Sequence, residues 1–522
     1  MKLLSLLQEI SLHPKNAEEL KGLIRKLAIK GIFSNSSDDW KKIPLIELGD
    51  WAIGTGFPLV EQGLQGQEIL FAKVSDMNLI GNEKHILTTN NSISYDTAKR
   101  IRAKIHGIGT VIFPKIGGAI ATNKRRVIKK PTIIDNNCLG ITPNDNTSVD
   151  WLLLVLASID FTEYQSGTSV PSLSQKIIGE IEVTQPPLEE QKAIVEVVNA
   201  LFKEVEALEE LTKERISLKE DFVTSALRRL TETDNTTQEW NYLKQHFSSF
   251  FTEKKNITSL RETILQLAVQ GKLTAKWREK NPSVENASEL LKRIEAEKQQ
   301  LIAEKKIRRE KAFPRIKDDE KEFNSPNGWM WCRFQQIFDI RDGTHDSPKD
   351  SSETNSYPLI TSKNFKEGNI DFDSARRISE ADYLKVIYRS KVHTGDILFS
   401  MIGGNIGNQV EVGDYTEFAI KNVALFKHYN SDTIAKGFLS LFSKFIAMSL
   451  QSHAAGGAQP FVSLKFFRNL VLGLPPLKEQ QAIVEKVNSL MSLCDELEQQ
   501  IDNSQTQIEQ LMQSCLKEVF EQ

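Results

Sequence analysis

The chain has only four cysteines in 522 residues, Cys138, Cys332, Cys494 and Cys515, and they lie far apart. That spacing excludes a paired-cysteine metal motif and a disulfide framework, and it suits a reducing cytoplasm. No run approaches 18 apolar residues, so no membrane-spanning helix is expected. The opening MKLLSLLQEISLHPKNAEEL follows a short apolar run with charges and has no small-residue cleavage site, unlike a secretory leader. Catalytic signatures are also missing. There is no GxxxxGK phosphate loop, no GxGxxG after a strand and no HExxH. No proline precedes an aspartate, as at nuclease metal sites. The Pro-Pro pairs follow Gln185 and Leu474, whereas amino-methyltransferases place Asn or Asp before such a pair and an aromatic after it. Gly117-Gly118 and Gly403-Gly404 are too short to cradle a nucleotide and read as tight turns. Nothing marks the chain as catalytic by itself, and no metal site is expected.

What is present is a duplicated rod. Pro186–Leu230 opens with two prolines, places Glu189 and Glu190 at the positive end of the helix dipole, and then runs without Pro or Gly. It predicts one helix of about 44 residues, roughly 65 Å long at ~1.5 Å per residue. Pro475–Gln500 repeats it 289 residues later, with 14 of 24 positions identical over Pro186–Glu209 and Pro475–Glu498. In the second copy Val487, Leu490, Cys494, Leu497, Ile501, Ile508 and Leu511 form a coiled-coil seam of period about 3.5. Val198, Leu201, Val205 and Leu208 keep it in the first, which weakens at Thr212 and Arg215.

A second duplication links Leu20–Ser34 with Leu260–Thr274 at an offset of 240, each an amphipathic helix stopped by glycine, Gly31 or Gly271. The central copy runs long helix then short helix. The other begins at the C-terminus and finishes at the N-terminus, an order that makes sense if the termini meet in space. Two mixed α/β blocks fill the intervals, and GTVIFPKIGGAI (Gly109–Ile120) in one matches GDILFSMIGGNI (Gly395–Ile406) in the other. The predicted divisions are 1–39, an N-terminal helical segment; 40–185, a first globule; 186–325, a central helical region; 326–474, a second globule; and 475–522, a C-terminal helix. Residues 231–255 read as a polar linker and Ala287–Lys311 as a charged helix ending in the basic run Lys305, Lys306, Arg308, Arg309 and Lys311.

Charge placement points to nucleic acid. Net charge is −3, yet Lys99–Lys130 holds ten basic residues and no acidic one. Lys and Arg bind phosphates, while Arg and Asn read base edges. This makes Lys99, Arg100, Arg102, Lys104, Lys115, Asn123, Lys124, Arg125 and Arg126 candidate DNA contacts. A solvated surface is the bland alternative, disfavoured by 32 residues without an acid. Two other readings stay open at this point: a self-sufficient modification enzyme and a coiled-coil scaffold with no nucleic acid role.

The twin PPLxEQxAIVExVxxL helices, LRETILQLAVQGKLT, and the block endings SVPSLSQKIIGEIEVTQPP and AQPFVSLKFFRNLVLGLPP together resemble the specificity subunit of type I restriction–modification enzymes. The resemblance covers nearly the whole chain. It implies an α+β fold with two mixed α/β target-recognition domains separated by two long antiparallel conserved helices, in a circular pseudo-twofold organisation. It implies recognition of a split, asymmetric double-stranded DNA sequence in defence against foreign DNA, with two methylation subunits on the helices and restriction subunits completing the complex. S-adenosylmethionine, ATP and Mg²⁺ would then belong to those partners, with no cofactor on this chain. Partner contacts are expected at Leu188, Gln191, Val198 and Leu201 and their equivalents Leu477, Gln480, Val487 and Leu490. RDGTHDSPK (Arg341–Lys349) and its continuation resemble a recurring recognition-domain subtype, which adds Thr344, His345, Lys349, Lys363 and Asn405 as candidate DNA contacts. The first block has IGTGFPL (Ile53–Leu59) where the second has GTH, so its contacts are less defined.

Overall fold

The computed structural model describes residues 16–34, 40–167, 170–233, 236–309, 313–430, 432–454 and 461–521. The opening residues 1–15 and 35–39 of the N-terminal segment, Lys311, and the side chains of Leu511 and Cys515 lie outside that description. Contacts divide the chain into two units, Met1–Ile216 with Thr506–Gln522, and Ser217–Gln505.

In the first unit a short helix α1 (Ala17–Ile29) buries Leu20, Ile24, Leu27 and Ala28 at helical spacing. Gly31 ends it with φ 84°, a left-handed conformation that glycine adopts without a Cβ penalty. Helix α2 (Val149–Ser158) starts at Ser148, whose hydroxyl accepts from the Trp151 N–H, and buries Trp151 against the sheet. The long helix α3 (Leu188–Glu232) packs Ile194, Val198, Leu201 and Val205 into the same core as α1 and α2. Ile508, near the other end of the sequence, joins that core, so the two terminal regions do meet.

The second unit repeats the arrangement. Helix α4 (Lys254–Val269) buries Leu260, Ile264, Leu267 and Ala268, the counterparts of the α1 set, and ends at Gly271 with φ 69°. Helix α5 (Ala287–Ala303) and helix α6 (Phe438–Ala454) cover the globule. The second long helix α7 (Leu477–Glu521) has 45 residues, as α3 does, roughly 67 Å of helix each. Ile483, Val487, Leu490 and Cys494 of α7 share a core with Val223, Leu227 and Leu230 from the far end of α3, so the rods run antiparallel there.

Three polar contacts recur at matching positions. Lys21 bridges Glu206 at 3.0 Å, and Arg261 bridges Asp495 at 2.7 Å. Ser34 donates to Glu190, and Thr274 donates to Glu479 at 2.7 Å. The third pair is a buried glutamine in the first turn of each rod. Gln191 donates to the Pro186 carbonyl at 2.9 Å and accepts from the Ser148 N–H at 2.8 Å. Gln480 does the same with Pro475 at 3.0 Å and Ala435 at 3.0 Å.

Each globule is built around two main sheets. In the first, five strands run in the order Gly49–Ile53, Cys138–Pro143, Val111–Pro114, Arg126–Ile128, His85–Ile86. Alternation sends Val111 and Phe113 toward α2 and Ile112 toward a three-stranded sheet built on Ile69–Ala72 and Thr132–Ile134. The second globule orders Phe338–Asp342, Val423–His428, Ile397–Ser400 and Gln409–Glu411 in the same way. Its smaller sheet pairs Ser356–Ile360 in parallel with Ala419–Ile420. Residues 40–185 and 326–474 are each closed by an antiparallel pair, Lys41–Pro44 with Glu182–Gln185 and Met330–Arg333 with Val471–Leu474.

Two expectations need correction. The supposed polar linker carries a helix, Thr236–Gln245, and buries Leu243, Phe247 and Phe251 against the end of α3. The charged helix ends at Ala303 instead of Lys311, and Lys305 just beyond has φ 58°, which breaks helical geometry.

Candidate nucleic-acid interface

Both main sheets gather their loops at one end. In the first globule Ile53, Pro114, Cys138 and Leu139 are paired there, and Gly54–Gly56, Lys115 and Asn136 lead away. In the second, Asp342 pairs with Ala424 and Ser400 with Val423, and Gly343–His345, Met401–Asn408 and Lys421–Asn422 lead away. The glycines are required by close approach: a Cβ on Gly54 would stand 2.0 Å from the Asp135 carbonyl oxygen, and one on Gly343 would stand 2.4 Å from that of Ile420. The threonines then make equivalent bonds, Thr55 N–H to the Ile134 carbonyl at 2.8 Å and Thr344 N–H to the Ile420 carbonyl at 2.9 Å. The first block therefore does possess the loop of the second, as Gly54-Thr55-Gly56, with glycine where His345 stands. The offset that reveals it is the 289 separating Trp40 from Trp329, not the 286 of the strand motif.

Side chains at the second sheet end are mutually braced. His345 Nε2 lies 2.9 Å from Asp342 Oδ2, and Nδ1 lies 3.2 Å from Asn422 Oδ1. Asp342 also pairs with Arg389, and Lys421 donates to Ser347. A cleft of about 320 Å³ beside them is lined by Thr344, Ser347, Lys385 and Arg389. Lys349, Lys363 and Asn405 are exposed; Asn405 sits in the turn after Ile397–Ser400 and Lys363 follows Ser356–Ile360. Below this surface Lys427 is buried on Asp396 and also donates to the Lys391 carbonyl at 2.8 Å. Burial pushes the Asp396 pKa up and the Lys427 pKa down, each opposed by the pairing.

The basic stripe does not form one surface. Arg125 is 4% exposed: its guanidinium donates to the Leu156 and Lys124 carbonyls at 3.0 Å and lies 4.3 Å from the Phe161 ring centroid. Burial lowers its pKa to about 9, with Asp160 opposing, so it stays charged at neutral pH. Arg126 is half-buried and spends donors on the Arg125 and Met77 carbonyls. Neither is placed as a free DNA contact, because the charge counted in the sequence is already engaged within the fold. Arg100 is paired with Glu61, Lys124 donates to Asn78, and Asn123 caps toward the Ala157 carbonyl at 3.0 Å. Lys99, Arg102 and Lys104 remain exposed, and the Lys104 N–H reaches the Thr55 hydroxyl at 3.4 Å. Of the stripe, Lys104 and Lys115 join the loops at the sheet end. Thr55 and Arg389 are the residues that sequence reasoning missed; Thr55 had a signal in the tryptophan offset, Arg389 had none.

The expected partner contacts need a similar correction. Gln191, Val198, Leu201, Gln480, Val487 and Leu490 are all buried in the chain's own cores, where they hold the rods to the globules. They present almost no surface. Leu188 is 37% exposed and Leu477 is partly buried. Among the described residues no group of three or more His, Cys, Asp or Glu is placed to hold a metal ion, and no helix is long and apolar enough to cross a membrane.

Comparison with known proteins follows the same duplication. The family described as type I restriction modification DNA specificity domain matches residues 37–218 and again 326–507. The chain is similar to the specificity subunit of the type I restriction enzyme EcoAI of Escherichia coli, 29% identical over 374 residues, covering 69% of this chain and 62% of that protein. It is similar to the EcoEI specificity subunit of Escherichia coli, 30% identical over 335 residues, covering 61% of this chain and 55% of that one. The matched region thus spans less than two thirds of either relative. A solved chain from work on complex assembly and conformational transition of the type I R-M system shares the fold, with a TM-score of 0.51 at 18% identity over 92% of this chain and 97% of its own.

Proposed function

The chain belongs to the type I restriction–modification DNA specificity family, and on that premise we propose that it is the sequence-reading subunit of such a complex. Each globule reads one half of a split double-stranded target through the loops at its sheet end. The supporting observation is the shared Gly-Thr loop on two matching frameworks with unlike neighbours, Gly56 in one and His345 in the other. Like frameworks give both readers the same approach to a groove, and unlike side chains make the two half-sites differ. The chain itself transfers no methyl group and cuts no DNA. Two methylation subunits dock on the long helices, where Val197 and Leu211, two heptads apart on α3, stay exposed, and restriction subunits complete the assembly. S-adenosylmethionine, ATP and Mg²⁺ act on those partners, and the complex works in the cytoplasm.

Co-expression with the cognate methylation subunit, followed by sequencing of methylated sites, tests this. The expected result is one bipartite motif with a fixed spacer, dependent on both chains. Methylation by this chain alone, or methylation without sequence preference, would overturn the assignment.

A further inference from the structure

We propose that Arg389 reads a guanine in the half-site taken by the second globule, and that Asp342, His345 and Asn422 position it without contacting the bases themselves. The inference rests on the reading above, that these loops face DNA. The resemblance had singled out His345, but both of its ring nitrogens are engaged inside the protein, one with Asp342 and one with Asn422. Both Asp342 oxygens are likewise taken, one by His345 and one by Arg389. Asn422 holds its end of the bracket from a left-handed conformation, φ 56°, that places its short amide back over the loop. What remains available is the arginine.

Arg389 lies in the last turn of the helix Glu380–Ser390, with its side chain 62% exposed. Only Nη2 is tied to Asp342; Nε and Nη1 have no hydrogen-bond partner among the described residues. Its backbone is fixed as well, since Arg341 donates to the Arg389 carbonyl at 3.0 Å and is itself held by Asp339 at 2.7 Å. A guanidinium pinned at one nitrogen surrenders less freedom on binding than a loose one. Its planar fork matches the O6 and N7 acceptors that guanine presents in the major groove, a pattern no other base offers. The first globule has Ile53 where Asp342 stands and Gly56 where His345 stands, so it lacks the bracket. Guanine reading of this kind is confined to the second half-site.

The test uses the assembled complex, with methylated-site sequencing and competition binding between targets differing at single base pairs. Arg389→Ala should lower the preference at one G·C pair of the second half-site by roughly ten- to hundredfold, with the first half-site and the spacer unchanged. Arg389→Lys, which keeps the charge and loses the fork, should bind DNA with that same preference weakened. His345→Ala should weaken discrimination at the same pair, and His345→Gln, whose amide can still donate to Asp342, should restore most of it. An unchanged motif in Arg389→Ala overturns the proposal. So does an equal fall in affinity for every sequence, which would make Arg389 a phosphate contact. A wild-type complex with no sequence preference would instead overturn the functional reading on which the proposal rests.

Discussion

At the scale of single residues, Arg125 shows a basic side chain spent on architecture. It caps the end of α2 by donating to the Leu156 carbonyl and packs on Phe161 and Phe113. Arg125→Ala would leave buried carbonyls unmet and remove the ring contact, a loss of about 3 kcal/mol in denaturant unfolding. Loss of DNA affinity at unchanged stability would return it to the interface. Acid sensitivity belongs to His428, which packs edge-on to Phe338 with its Nδ1 buried and without a hydrogen-bond partner among the described residues. Burial holds its pKa down to about 4, against 6.5 when free. Above about pH 6.5 neither state carries the proton. As pH falls toward 4 the unfolded chain binds it first, so the folded state loses up to about 3 kcal/mol of stability. Urea unfolding at pH 7 and pH 4.5 should show this drop, reduced in His428→Leu; equal slopes in both proteins would contradict it. Such distinctions were illegible in the sequence. Arg125 and Arg126 are adjacent arginines, and each draws one carbonyl partner from a residue 30 to 50 positions away.

At the scale of elements, much was legible, because the chain states its scaffold twice. The 289 and 240 offsets predicted paired rods and paired short helices, and the matching bridges Lys21–Glu206 and Arg261–Asp495 fall at those offsets. The helix at Thr236–Gln245 was hidden by its polar composition: Leu243 is its buried residue, and Phe247 and Phe251, which join the same core, come after its end. The rod starts carry the clearest mechanical prediction. Gln480→Leu would strip an acceptor from the Ala435 N–H and a donor from the Pro475 carbonyl, both buried, and should cost about 2–3 kcal/mol. Gln480→Glu should cost more, since it removes the donor and buries a charge. Thermal unfolding of the full chain checks both, and a leucine variant as stable as the parent would show that the glutamine is dispensable.

At the scale of the whole molecule, the division into units falls at corresponding points of the two rods. The leading segment of the first unit ends at Ile216, within α3, and the second unit ends at Gln505, within α7, again 289 residues apart. If the rods set the spacing between half-sites, both must be lengthened there together. Four helix-forming residues inserted after Ile216 and four after Gln505 add ~6 Å of rise and about 400° of turn, a net rotation of ~40°. One base pair of DNA advances ~3.4 Å and turns roughly 35°. The rotation therefore matches one base pair, while the rise would suit nearly two. Phase should decide, because a reader turned away from its groove loses its base contacts, whereas a few ångströms of translation are absorbed by bending the DNA. Both half-sites should keep their sequence and the spacer should grow by one base pair. Sequencing of methylated sites in cells carrying the double insertion reads this directly. An active variant with its original spacer would mean that something other than the rods fixes the distance.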